Sequence, residues 1–372
     1  MSVAILLFIL FLLVLLFSWN SIWQRYVPPH IQVQLSVSNP SIRYGEQAEL
    51  HIIIENRSSL PAPNVLCFFE LPPQISLHQK SDNTESSILS KTKKAEEVSF
   101  VIAMRPRESA TVSYPIFGIH RGHGHIQKIR VELSNGFSTY QFTDIATYCD
   151  IVVHPAHRSS SLIQQSLHKR PGTMPTLRKL FPMSTDWVDL RPYQSGDSMR
   201  DIAWMISAKQ RELVVFERAT SLRQQVLIVS NIQLYKDYWS GNIPSVIERI
   251  YEETMALALS LLSSSNALIT ILTNAIKGQR SHAYQLLHIE GAATSRNQFR
   301  IGHELGRLST YAMDPMSAVL ASIYRSQLAP THIMILTAYE DEDMLQQYHR
   351  LTQVGHEIHK IMIPIQPIQD QE

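Results

Sequence analysis

The sequence predicts three parts in order: one membrane-spanning helix, an all-β sandwich of immunoglobulin-like type, and a doubly wound α/β domain. Three observations carry this reading. An unbroken apolar run opens the chain, short alternating strands with turn residues between them follow, and strand and helix periods then alternate towards the end. The predicted boundaries are 1–25 for the anchor, 31–154 for the sandwich, 155–222 for a linker and motif segment, 223–364 for the α/β domain and 365–372 for a tail.

Val3 to Phe17 reads VAILLFILFLLVLLF, with Trp19 and Trp23 just beyond. Counted to Trp23, the run reaches the ~20 residues a bilayer span needs, and tryptophans favour the membrane interface. A cleavable signal peptide would carry a basic start and a small-x-small site. No Lys or Arg precedes the run, and FSWNSIWQR offers no such site. An uncleaved anchor over residues 3–23 is expected, and deleting residues 1–25 is expected to release a folded soluble body. Arg25 is the flanking charge, which puts that body on the cytoplasmic side.

In the sandwich, IQVQLSV alternates strictly. AELHIIIEN, NVLCFFELP, VSFVIAMRP, ATVSYPIFG, HIQKIRVELS and CDIVVHP bring the total to about seven strands in roughly 120 residues. The polar tract from Lys80 to Glu97 reads as a solvated loop. Two cysteines are too few for a disulfide framework, so Cys67 and Cys149 read as buried free thiols, a bridge between them staying open. From His157 to Thr185 there is no clear period, and the stretch reads as a linker with a short helix at most.

The α/β part opens with the buried strand QQVLIVS. Ile243, Ile247, Ile250, Thr254, Leu257 and Leu261 then line one helix face at 3.6-residue spacing. ALITILT is the next strand, AYQLLHIEG an edge strand, and 298–308 a short helix. Asp314 reads as the cap of a helix starting at Pro315 that buries Val319, Leu320 and Ile323. HIMILT, the acid-led helix EDEDMLQQYHRLTQVG and EIHKIMIP complete the alternation, which predicts a sheet with helices on both faces.

Charge excludes one class of partner. With 33 basic against 32 acidic side chains and a net charge of +1, nothing steers the chain towards nucleic acid. No P-loop, G-x-G-x-x-G or G-x-S-x-G occurs, so no nucleotide cofactor and no enzymatic activity are expected.

Between sandwich and sheet stands LRPYQSGDSMRDIAWMISAKQRELVVFE. Leu190, Arg191, Tyr193, Gly196, Asp197, Arg200, Ile202, Trp204, Ser207, Ala208, Lys209 and Leu213 fit a pattern of fixed spacing. With HRGHGHI and LSNGFSTY in the sandwich, the chain resembles the bacterial family known as domain of unknown function fifty-eight. The departures are Ser195, where Pro is usual, and Ala203, where Asp or His is usual. The resemblance implies a von Willebrand factor A-like sheet domain. It also implies a protein partner, an AAA+ ATPase of MoxR type, with which such proteins assemble or mature others. It implies no enzymatic activity.

A von Willebrand A metal site would sit outside the carboxyl ends of the strands, at the switch point, and would need carboxylates for Mg²⁺. The rim here is Ser230, Asn231, Thr273, Asn274 and Thr337, with Ala338 where a carboxylate is usual. This neutral set predicts no metal. His120, His123 and His125 could suggest one, with His123 and His125 on one strand face. With no Cys or acidic neighbour in sequence they read as exposed strand histidines. His356 and His359 read likewise as the start of a strand, and GHELG at 302–306 lacks the second His of a zincin.

The motif packs Asp189, Arg191, Tyr193, Gly196, Asp197, Arg200, Trp204, Ser207 and Lys209 around a turn. Without a nucleophile–base pair it predicts a structural clamp or a partner surface rather than a catalytic centre. Trp204 is expected to be buried, and Arg191 and Arg200 each to meet a carboxylate from Asp197, Asp189 or Asp201. The expected protein is a non-enzymatic, membrane-anchored interaction protein. The alternative is a metal-dependent adhesion module or a hydrolase with an unrecognised site.

Overall fold

The computed structural model describes residues 2–78, 96–156, 187–194, 199, 202–218, 225–264, 268–277, 284–290 and 292–365. The linker over 157–185 lies outside them, as does most of the polar tract 80–97. The chain divides into two compact units, Met1–Ala156 and His157–Glu372.

The first unit begins with helix α1 (Ser2–Tyr26) and a short 3-10 turn at Pro28–His30. Nine strands follow: β1 (Ile31–Val37), β2 (Ser41–Ile42), β3 (Gln47–Asn56), β4 (Ala62–Leu71), β5 (Ile75–Ser76), β6 (Glu96–Met104), β7 (Ser109–Gly118), β8 (Gly122–Ser134) and β9 (Thr139–Val153). They form two sheets, of order β1-β3-β7-β5 and β2-β9-β8-β4-β6. Period-two alternation sends Leu50, Ile52 and Ile54 of β3 inward, and Val65, Cys67 and Phe69 of β4 with them. Ile129, Val131, Ile151 and Val153 complete one core between the sheets. Both cysteines are free and buried, and burial pushes the Cys67 thiol up to about 12.

Sequence periodicity undercounts here. The stretch Thr139–Val153 is a single strand that pairs antiparallel with β8 from Ser134↔Thr139 to Gly122↔Val153, with one irregularity between Gln127 and Ile129. Its first half reads TYQFTDI, without a clean apolar alternation, so the pairing was hidden in the sequence.

α1 is long and apolar enough to cross a membrane, and large side chains from Ile5 to Leu15, with Phe17 and Trp19, are exposed. Its last turns do not belong to that exposed rod. Trp23 is 1% exposed, lies in the sandwich core and donates its indole N–H to the Pro61 carbonyl at 2.8 Å. Asn20 Oδ1 accepts from Asn135 Nδ2 at 2.9 Å and Ser138 Oγ at 2.7 Å, in the turn between β8 and β9. This corrects the expected anchor of 3–23 at its C-terminal end: Trp23 is a core residue of the sandwich, and deleting 1–25 would remove it.

The second unit contains a ribbon of β10 (Trp187–Pro192) and β11 (Val214–Arg218), with helix α2 (Trp204–Gln210) between them in sequence. Next come β12 (Gln225–Ser230), α3 (Pro244–Ser264), β13 (Leu268–Thr273), β14 (Ala275–Lys277), β15 (Gln285–Glu290), α4 (Ser295–Gly306) and β16 (Leu308–Ala312). The unit closes with α5 (Met316–Arg325), β17 (His332–Thr337), α6 (Glu342–Gln353) and β18 (Glu357–Met362). The main sheet has the order β15-β13-β12-β17-β18. Its pairs are parallel except β13 with β15, which makes β15 the antiparallel edge.

Helices cover both faces, as the alternation predicted. Ile247, Ile250 and Leu257 of α3, with Ile301 and Leu305 of α4, pack on Val226, Ile228, Ile271 and Leu336. Val319 and Leu320 of α5, with Met344 and Leu351 of α6, pack on Leu227, Val229, Ile333 and Ile335. Asp341 caps α6 by accepting from Met344 N at 2.8 Å, while α5 starts one residue later than predicted, with Pro315 and not Asp314 at its cap position.

Candidate functional site

Two places in the second unit hold the residues singled out by sequence. The first is the motif segment. β10 and β11 pair antiparallel, Arg191 opposite Val215, and Asp189 opposite Glu217. Tyr193 N donates to Leu213 O at 2.8 Å and Ala203 N to Val214 O at 2.9 Å, so Tyr193 and Ala203 are both tied to the start of β11 and the residue before it. Ser207, buried on α2, accepts from Val214 N at 3.0 Å and donates to Val214 O at 3.3 Å. That doubly bonded hydroxyl fixes the short helix to the strand and is a physical reason for Ser in the motif.

Gly196, Asp197, Arg200 and Asp201 lie outside the described residues, and with them the expected pairing of Arg200. Arg191 is half-buried and donates from Nη1 to Pro192 O at 3.3 Å. Lys209 is exposed.

Trp204 overturns the expectation of burial. It is 61% exposed and Met205 83%. The cause is helix geometry. Ala203 and Ser207, four residues apart, form the buried face, and successive residues turn by ~100°. Trp204 and Met205 are thereby rotated away from the strand, and Ile206 is half-buried. Tyr193, Met199 and Leu213 are also exposed, so the motif presents large apolar side chains to solvent.

The second place is the switch point, where β12 ends between β13 and β17. All five rim residues are buried. Asn231 Nδ2 donates to Thr337 Oγ1 at 2.9 Å, and Asn231 Oδ1 accepts from Gln233 N at 2.9 Å and Asn274 Nδ2 at 3.2 Å. Asn274 Oδ1 accepts from Ile232 N at 3.0 Å, Thr273 Oγ1 accepts from Ala275 N at 3.1 Å, and Thr337 Oγ1 donates to Tyr339 O at 2.5 Å. Ser230 stands apart, its hydroxyl 2.7 Å from Thr254 Oγ1 on α3. Asn231, Asn274 and Thr337 thus form one hydrogen-bond network, completed by backbone groups of Ile232, Gln233 and Tyr339.

Sequence reasoning passed over Gln233 in this network. It is fully buried, its Oε1 accepts from Met316 N at 2.8 Å, and its Nε2 donates to Tyr235 O at 2.9 Å and Lys236 O at 3.2 Å. It thus serves the first N–H of α5, where Pro315 supplies no side-chain cap. Asp314 takes part through its carbonyl, which accepts from Asn274 Nδ2 at 3.4 Å, while its carboxylate accepts from Tyr284 Oη at 3.0 Å.

Histidines form two further clusters. In the first unit Asp150 joins His123 and His125, and in the second Glu357 joins His332 and His359. Asp150 comes from β9, the strand beside β8, while Glu357 shares β18 with His359 and stands opposite His332 of β17; the expectation of isolated histidines missed both.

Burial holds His303, His356 and His359 below the ordinary histidine pKa; at His359 the neighbouring His332 adds to this, and Glu357 works against it. A histidine whose folded pKa is lowered takes up its proton in the unfolded chain first. The stability it contributes is intact above about pH 6.5 and is lost as pH falls below it. The second unit is therefore expected to melt progressively lower from about pH 7 to pH 5.5. His356→Gln should flatten that slope in a calorimetric pH series, and an unchanged slope would count against His356 as a source of it.

No curated protein matches the chain. Solved structures give weak likenesses. The CARDB domain of the PF1109 protein from Pyrococcus furiosus has a TM-score of 0.23 at 9% identity, over 33% of this chain and 91% of that one. Alpha-2-macroglobulin from Escherichia coli, from domain MG7 to its C-terminus, has a TM-score of 0.24 at 15% identity, over 34% of this chain and 24% of that one. Beta-glucosidase from Listeria innocua has a TM-score of 0.20 at 12% identity, over 33% of this chain and 16% of that one. The family comparison is of another kind, because it falls on the motif: residues 189–288, from β10 to β15, match the family model described as protein of unknown function DUF58.

Proposed function

We propose that this protein is a non-enzymatic, membrane-anchored interaction protein whose motif segment is the docking surface for a protein partner. One observation carries the reading: α2, fixed by Ser207 to β11, holds Trp204 and Met205 out into solvent, and Met199 and Leu213 of the same segment are exposed as well. Exposed apolar groups on a rigid support mark interaction sites, and Trp is the side chain most enriched among binding hot spots. The α/β unit is read as von Willebrand A-like with its metal position replaced by the asparagine network. The apolar helix α1 is read as an uncleaved anchor, which the docking of Trp23 and Asn20 into the sandwich supports. Arg25 puts the folded body on the cytoplasmic side. The partner is a MoxR-type AAA+ ATPase, as the family resemblance suggests, and the pair acts in the assembly or maturation of other proteins.

The test uses the full chain in detergent and a purified MoxR-type ATPase. Trp204→Ala should leave the melting temperature nearly unchanged, a surface change being worth within about 0.5 kcal/mol. It should weaken the complex by about 30-fold, the effect of a hot spot worth roughly 2 kcal/mol. Unchanged binding would remove Trp204 from the interface. A large fall in melting temperature would return the segment to a purely structural role.

A further inference from the structure

We propose that His123, His125 and Asp150 bind a divalent transition-metal ion of the Zn²⁺ class on the outer face of the sandwich. This site lies in the first unit and does not rest on the partner reading above. The placement follows from register. His123 and His125 are two apart on β8, so both point to one face, and the intervening Gly124 faces the other way. Backbone pairing sets His125 opposite Asp150 of β9, and His123 opposite Val152. Cys149 and Ile151, alternating with Asp150, point into the core. The outer face of two paired strands therefore carries two imidazoles and a carboxylate, whose ligand atoms all lie within 4.8 Å of one another.

The groups are held where a metal would need them. Asp150 Oδ1 is 3.1 Å from His123 Nε2 and is also hydrogen-bonded to His125 Nδ1. The His125 ring meets His123 edge-on at 4.2 Å between centroids and stacks on Tyr148 at 5.4 Å. Tyr148 Oη lies 2.8 Å from His125 Nδ1, the same nitrogen that meets Asp150, so tyrosine, imidazole and carboxylate are gathered at one point. β8 and β9 are both interior strands of their sheet, so the ligands stand on rigid backbone. Burial works to raise the Asp150 pKa, but bonds from Tyr148 and His125 and the charges of both histidines outweigh it, so the group is a carboxylate at neutral pH.

The donor set selects the ion. Two nitrogens and one oxygen suit borderline ions such as Zn²⁺, whereas Mg²⁺ and Ca²⁺ prefer oxygen alone. Three protein ligands leave a fourth position of a tetrahedral ion open to solvent. The cluster in the second unit is less prepared. Its Glu357 is 63% exposed on the edge strand β18, and His359 Nε2 stands 3.8 Å from that carboxylate. It serves as the internal control.

The experiment titrates Zn²⁺ into the full chain, in detergent and without a polyhistidine tag, against a chromogenic chelator. Wild type should bind Zn²⁺ and melt higher with it than with EDTA. His123→Ala/His125→Ala and Asp150→Asn should each weaken that binding at least tenfold, and His332→Ala/His359→Ala should retain it. X-ray absorption of the Zn²⁺-loaded wild type should show histidine and oxygen ligands without sulfur, a readout that does not depend on any variant folding. Equal Zn²⁺ binding by wild type and the His123→Ala/His125→Ala variant would overturn the proposal, as would loss confined to the His332→Ala/His359→Ala variant, or a sulfur-ligated spectrum.

Discussion

Trp23→Ala is expected to destabilise the sandwich by about 3–5 kcal/mol, the cost of truncating a large aromatic residue in a packed core. At roughly 2–4 °C per kcal/mol this lowers its melting temperature by about 10 °C. The residue follows directly on an apolar run that composition alone assigns to the bilayer, yet it is among the largest fully buried side chains of the chain. Truncation removes its packing against the sandwich core and leaves the Pro61 carbonyl without its indole donor. Trp19, 44% exposed on the same helix, is the matched control, and Trp19→Ala should leave the sandwich unchanged. Hydrogen exchange in detergent checks this locally, through peptides covering β3 and β4. Faster exchange there for Trp23→Ala but not for Trp19→Ala is the expected result, and equal protection in the two would place Trp23 outside the core. The contacts of Asn20 and Trp23 fix where a soluble form must begin. Deletion through Phe17 keeps Asn20 and Trp23 and should fold, whereas deletion through Arg25 should not.

Much of the architecture was legible because burial in strands and helices leaves a period. VLIVS, LITILT and HIMILT are near-continuous apolar runs, as strands covered on both faces are, and each is a strand of the main sheet. The strands of the sandwich showed their alternation, except where β9 runs on through TYQFTDI. What periodicity could not supply was partnership across the chain. Asp150 is 25 residues from His125, and only the pairing of β8 with β9 makes them neighbours. Trp204 misled for a different reason. Its flanking residues Ile202, Met205 and Ile206 suggest a core, but the buried face of a seven-residue helix is narrow, and Ala203 and Ser207 occupy it. Glu357 and His359 stand where a strand start was expected, and their meeting with His332 again needed the register of two strands.

Asn231→Ala is expected to be the most damaging single change in the α/β unit, again by about 3–5 kcal/mol. Gln233 N loses its acceptor, Asn274 Nδ2 keeps only the longer bond to Asp314 O, and Thr337 Oγ1 loses the amide donor while keeping Tyr339. A buried polar group left unsatisfied costs ~1–3 kcal/mol, and losses within one network do not add fully. The damage should spread to α5, because Gln233, positioned by its N–H bond to Asn231, accepts from Met316 N. Asn231→Asp separates hydrogen bonding from charge. It keeps the shape and can still accept from Gln233 N and Asn274 Nδ2. Its other oxygen, however, faces Thr337 Oγ1, whose proton is given to Tyr339 O, so a buried carboxylate meets a lone pair where an amide donated. The acid is then expected to have a raised pKa in the folded state. The variant should be destabilised at neutral pH, and the loss should shrink as pH falls through that raised value, because the neutral form predominates there. Thermal melts of wild type and both variants, each with and without millimolar Mg²⁺, provide the check. No Mg²⁺ shift in wild type and a pH-reversible loss in Asn231→Asp are the expected pair. A Mg²⁺ stabilisation of several degrees in wild type would show that the asparagine rim holds a cation, and a melt of Asn231→Ala equal to wild type would show that the network contributes nothing to the stability of the sheet.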